Sequence, residues 1–141
     1  MPSTTLDRST APAIRVAGAL LAAAVVATFV NALIALAASA IETGGTAVGL
    51  QIVQFGPATV VGVLLGTAGW TLVRRFAARP RAVLRVLVPV VVVLTWGADL
   101  FLLATGAGVV NVLALVLMHV VVATATVLAL GRVLPVRDRS V

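Results

Sequence analysis

Asp99 and His119 are the two side chains of this 141-residue sequence best suited to chemistry. A carboxylate and an imidazole within hydrogen-bond reach can work as an acid–base pair, and a carboxylate alone can hold a proton or a cation. Both lie in strongly apolar surroundings, where an ionisable group is costly and by default marks a site. Asn31, Glu42, Trp96 and Asn111 complete a set of six candidate binding residues, of which Asp99 and His119 are the catalytic candidates. Asn31, Ala35, Ala38 and Glu42 recur at helical spacing, which puts Asn31 and Glu42 on one stripe. Asn111, Leu115, His119, Val122 and Thr126 form a second stripe, and Trp96 precedes Asp99 by one turn, so an indole and a carboxylate share a face. Burying these stripes together predicts an outward-opening polar pocket lined by Asn31, Asp99, Asn111 and His119.

A single histidine supplies neither a bis-histidine haem site nor a complete zinc site. The absence of cysteine removes disulfide staples, thiol redox relays, iron–sulfur ligation and thiolate metal sites. No nucleophile motif or phosphate-binding loop is present. No metal or cofactor is expected. Each candidate also has a packing alternative. Asparagines act as interhelical hydrogen-bond glue worth about 0.6 kcal/mol, a lone buried histidine is commonly structural, Trp96 suits a core, and Glu42, Gln51 and Gln54 suit a solvated loop.

The elements that must position these residues are four apolar segments, at about 13–41, 55–73, 81–103 and 109–130. Each is long enough to cross a hydrocarbon core of roughly 30 Å at about 1.5 Å per residue. With 62% hydrophobic residues, 10% charged residues and a mean hydropathy of +1.22, a soluble domain is untenable. The reading is all-α: a single membrane domain over 1–141, a four-transmembrane-helix bundle running up-down-up-down because the connections are short. Ser9, Thr10 and Pro12 suit the start of the first helix, Gly44 and Gly45 mark the first connection, and Pro57 suits the start of the second helix. Ala38-Ser39-Ala40 has the form of a signal-peptidase site, but the preceding apolar run of about 27 residues far exceeds the 7 to 15 of a signal peptide.

All ten basic residues are arginines, and all fall on one side: Arg8 and Arg15, then Arg74, Arg75, Arg79, Arg81 and Arg85, then Arg132, Arg137 and Arg139. Asp7 and Asp138 share that side, and Glu42 and Asp99 lie toward the other. Retention of basic flanks in the cytoplasm places both termini there, in an inner membrane. Arg74, Arg75, Arg79, Arg81 and Arg85 are expected to bind anionic lipid headgroups, each attracted by about 1 kcal/mol. No aromatic residues alternate with them as a base-stacking platform requires, so no nucleic-acid partner is expected. Ala58, Gly62, Gly66 and Gly69 form a small-residue groove for a neighbouring helix or a second copy. Pro89 predicts a kink or local opening in the third helix. Counted from the outer ends, Asn31 and His119 lie roughly 15 Å deep and Asp99 roughly 8 Å, a difference of roughly 7 Å between the two catalytic candidates.

The segment Phe55-Gly56-Pro57-Ala58-Thr59-Val60-Val61-Gly62, the Arg74-Arg75 exit, Trp96 with Asp99, and the Met118-His119 pair resemble an uncharacterised actinobacterial family of small four-helix membrane proteins, a domain of unknown function. The resemblance spans most of the chain and implies four spans in an actinobacterial inner membrane, with no activity or substrate attached. Three functional readings follow. The first is an accessory or structural bundle that binds a membrane-protein partner. The second is an oligomeric, proton-coupled or small-solute transporter using Asp99 and Glu42. The third is an intramembrane acid–base enzyme acting on a lipid-soluble substrate, which requires Asp99 and His119 within hydrogen-bond reach.

Overall fold

A computed structural model describes residues 10–42 and 47–136. Asp7, Arg8, Ser9, Gly44, Gly45, Arg137, Asp138 and Arg139, on which expectations of capping, turn and orientation fall, lie outside the described residues. Four helices follow in order: α1 (Thr10–Ile41), α2 (Ile52–Phe76), α3 (Pro80–Ala104) and α4 (Val109–Val133). All four are long and apolar enough to cross a membrane.

The helices overrun the apolar segments by up to a turn, because a hydrogen-bond ladder has no reason to stop where hydropathy falls. α2 carries Arg74 and Arg75 in its last turn, where cations complement the carbonyl end of the helix. It begins before Pro57, not at it. The Gln51 carbonyl accepts from both Gln54 N and Phe55 N, which starts the helix at Ile52. Gln54 is therefore helical, and its side-chain Oε1 accepts from Gly49 N at 3.0 Å, a local tie and not a solvated loop residue. α3 runs unbroken through Pro89 from a proline at its first turn.

Two buried clusters fix the antiparallel order. Ala35 and Ala38 near the end of α1 pack with Leu50, with Phe55 at the start of α2, and with Ala114 and Met118 of α4. At the opposite end Trp70 of α2, Leu84 of α3 and Leu130 of α4 close together, with Leu20 of α1 against them. This second end also carries every described arginine and is called the arginine end below.

In cross-section the bundle is a rhombus with α2 and α4 on its short diagonal. α4 touches the other three helices, whereas α1 and α3 do not meet among the described residues. Glycine makes the diagonal short. A Cβ on Gly62 would lie 3.0 Å from Val122 Cγ1, and one on Gly66 2.9 Å from Thr126 Cγ2, so α2 rests almost bare against α4. The buried face of α1 is a ladder of small residues, Ala23, Ala27, Asn31, Ala35 and Ala38, which admits α4 just as closely. Of the helix pairs that touch, α2 and α3 touch least.

Candidate functional site

Five of the six candidates separate into two groups with different surroundings, and Trp96 joins neither. Glu42 and Asn111 hold the end of the bundle opposite the arginines. Fully buried Asn111 donates from Nδ2 to the Val48 carbonyl and accepts at Oδ1 from Val48 N, both at 3.0 Å, so one side chain mimics a strand partner for the α1–α2 connection. Its own backbone N–H, in the first turn of α4, donates to Glu42 Oε2 at 3.3 Å. Gly108, the N-cap of α4, has no side chain to cap with, and the Glu42 carboxylate fills the space where its Cβ would sit. A carboxylate there meets both the unpaired N–H groups and the positive end of the helix dipole. Gly49 completes the clamp: its φ is +81°, and a Cβ would lie 2.9 Å from Leu115 Cδ2. Asn111 is thus spent on the fold, which corrects the expectation that it lines a pocket.

Asn31, Asp99 and His119 line a cavity of about 650 Å³ bounded by α2, α3 and α4. It is a cleft between α2 and α3 floored by α4, and it exists because those two helices barely meet. The four small residues of α2, Ala58, Gly62, Gly66 and Gly69, form one wall. Gly62 and Gly66 also abut α4, while a Cβ on Gly69 would have nothing within 4 Å. Leu87, Val88, Val91 and Val92 of α3 face them, and Trp70, Leu84 and Leu130 close the arginine end. The lining is overwhelmingly apolar, in place of the polar pocket expected, and among the described residues no arginine reaches it.

Polar groups enter the cleft in the half remote from the arginines. Asn31, 1% exposed, donates from Nδ2 to Thr59 Oγ1 at 3.0 Å, and its Oδ1 is buried with no hydrogen-bond donor. Thr59 carried no signal as a site residue, since a helical threonine ordinarily satisfies its hydroxyl on its own backbone, as Thr95 and Thr126 do here. Asp99 Oδ2 lies 3.0 Å from His119 Nδ1, with the Asp99 side chain 9% and the His119 side chain 39% exposed.

Depth counted along each helix sets these two residues roughly 7 Å apart. Their contact follows from a detail that count ignores. α3 and α4 are antiparallel, and every Cα–Cβ bond leans toward its own helix N-terminus. Asp99 therefore leans toward the arginine end and His119 away from it, each toward the other. His119 Nδ1 also lies 3.0 Å from the Leu115 carbonyl oxygen. The single hydrogen on Nδ1 goes to the Leu115 carbonyl, so Asp99 Oδ2 meets the ring as a close polar contact and stays without a hydrogen-bond donor, and Nε2 is the other polar face of the ring.

Trp96, one turn before Asp99, is half-buried, has an indole N–H with no acceptor, and does not line the cleft. Among the described residues no three histidine, aspartate or glutamate side chains converge as metal ligands would. Arg74, Arg75, Arg79, Arg81 and Arg85 gather around the short α2–α3 turn; Arg75 lies 5.5 Å from the Phe76 ring centre, and Arg81 Nε donates to the Val136 carbonyl at 3.1 Å.

A four-helix membrane bundle with an apolar cleft, in which a buried carboxylate meets a partly exposed imidazole, is what fold and site together define. The chain belongs to a family of unknown function, DUF6069, whose model matches residues 8–136. No curated protein and no solved structure matches it.

Proposed function

We propose that this protein is an accessory binding protein of the inner membrane, both termini cytoplasmic, that holds a lipid-soluble amphiphile in the cleft between α2 and α3. The observation that carries this reading is the cleft itself. At about 650 Å³ it falls within the roughly 300–1,000 Å³ range of ligand pockets, and a few polar groups are confined to one end of an apolar channel. A bundle whose polar residues served only as packing glue would spend all of them on one another. Here Glu42 and Asn111 are spent, whereas Asn31 Oδ1 and Asp99 Oδ2 have no hydrogen-bond donor, and their residues line the cleft together with His119. One-sided arginines support the cytoplasmic termini and contact with anionic headgroups.

A second reading is supported by one distance. Asp99 Oδ2 and His119 Nδ1 approach to 3.0 Å, the separation that intramembrane acid–base chemistry on the bound molecule needs. On that reading Asp99→Asn and His119→Ala abolish turnover of the bound molecule while leaving its binding in place.

The test is extraction of the full chain with its surrounding lipid, followed by mass spectrometry of what co-purifies. The wild type is expected to retain a near-stoichiometric apolar molecule. Gly69→Trp, which places a large side chain at the wall of the cleft where a Cβ meets nothing within 4 Å, is expected to lose it while staying folded. Retention by that variant, or no retained molecule in the wild type, sinks the reading. A retained transmembrane polypeptide in place of a small molecule reassigns the cleft to a protein partner.

A further inference from the structure

We infer that the cleft selects amphiphiles with a protonated amine head, the head lying against Asp99 and Asn31 and the apolar body running along α2 and α3 toward Trp70. The inference rests on the cleft-binding reading above and adds the chemical class of the ligand. It starts from two acceptor groups of the cleft that lack a full set of donors. Asn31 Nδ2 gives one hydrogen to Thr59 Oγ1, and the Thr95 and Thr126 hydroxyls donate to Val92 and Val122 carbonyls one turn back. Gln54 commits its carbonyl oxygen to Gly49 N and so adds no free acceptor to the cleft. What remains on the acceptor side is Asn31 Oδ1, buried and without a donor, and the carboxylate of Asp99, which can accept about four hydrogen bonds and meets His119 through one oxygen.

Charge points the same way. Asp99 and His119 are the ionisable side chains of the cleft lining, and the described arginines sit at the other end of the bundle, outside that lining. A carboxylate held in apolar surroundings attracts a cation strongly, because little water screens the pair. A carboxylate head meets no arginine among the described residues of the lining, and an alcohol offers a single hydrogen bond with no charge. An ammonium supplies three donors and the complementary charge. Between Asp99 and Leu84 the α3 wall extends about 22 Å at 1.5 Å per residue, room for a long alkyl body below the head.

The test uses the full chain in discs of zwitterionic lipid. Trp96→Phe leaves Trp70, which lines the closed end of the cleft, as the fluorescent reporter. Three probes with the same terminally brominated twelve-carbon tail, an amine, an alcohol and a carboxylate, are titrated and quenching of Trp70 is followed. The amine is expected to quench saturably at about ten-fold to a hundred-fold lower concentration than the alcohol, the range for a hydrogen bond to a charged group, with the carboxylate weakest. Asp99→Asn is expected to erase the preference for the amine while the alcohol still binds. The ranking of heads on the chain with native Asp99 stands even if that variant fails to fold. Equal binding of all three probes overturns the amine inference and leaves the cleft reading intact, as does undiminished amine binding by a folded Asp99→Asn chain. Saturable quenching by none of the three overturns both.

Discussion

Glu42 and Gly108 make a capping device from two residues far apart in sequence, one bringing the charge and the other the space for it. Gly108 has an ordinary extended φ of −67°, so its lack of a side chain matters for room and not for backbone strain. Gly108→Ala is therefore expected to act by displacing the Glu42 carboxylate, and Glu42→Ala by removing it, each at a cost of about 0.3–1 kcal/mol, rising to about 2 where the site is partly buried. A double-mutant cycle of thermal melts in detergent checks this: the pair together should cost no more than the worse of the two, and additive losses would show that the residues act separately. Asn111→Leu goes further. It leaves the Val48 N–H and carbonyl without their partner, about 1–3 kcal/mol for each group that stays buried, and should lower the melting temperature more than either change at the cap.

At the scale of elements, the small residues of α2 do two jobs that spacing alone does not separate. Gly62 and Gly66 let α2 approach α4, and Gly69 keeps the cleft open. Gly66→Val is expected to lever the two helices apart and cost about 1–3 kcal/mol, as overpacking does. Gly69→Ala meets nothing within 4 Å and is expected to be neutral or stabilising by up to about 1 kcal/mol through helix propensity. Thermal melts of both variants in one detergent check the contrast; similar losses would mean that Gly69 also lies in a helix contact. The spacing of the groove suits two uses, an internal neighbour or a second copy. The contacts with Val122 and Thr126 assign Gly62 and Gly66 to an internal one.

For the whole molecule, the absence of cysteine allows single-cysteine topology mapping without background. With cytoplasmic termini, Gln51→Cys is expected to react with a membrane-impermeant maleimide in intact cells, and Ser140→Cys only after the membrane is opened. The reverse pattern would invert the proposed orientation. All described arginines gather at one end of the bundle, which is the asymmetry that basic-flank retention reads. At that end Trp70 Nε1 donates to the Leu134 carbonyl at 3.0 Å, tying α2 to the chain leaving α4. The cleft is thereby closed at the arginine end, so the polar groups stand near its other end.

Four apolar helices were legible in the sequence because the hydrocarbon core imposes length and composition on each segment separately, without reference to its neighbours. The small-residue ladders were legible for a similar reason, since helical periodicity is local. Which polar residues share a site was not. Asn31, Asp99, Asn111 and His119 looked alike as isolated polar groups in apolar sequence, and counting depth along each helix separated Asp99 from His119. The tertiary structure decided otherwise, because side chains on antiparallel helices lean toward each other, a returning loop claims Asn111, and a short α2–α4 diagonal holds α3 away from α2. Each of these depends on the relative placement of two helices, which no single segment encodes.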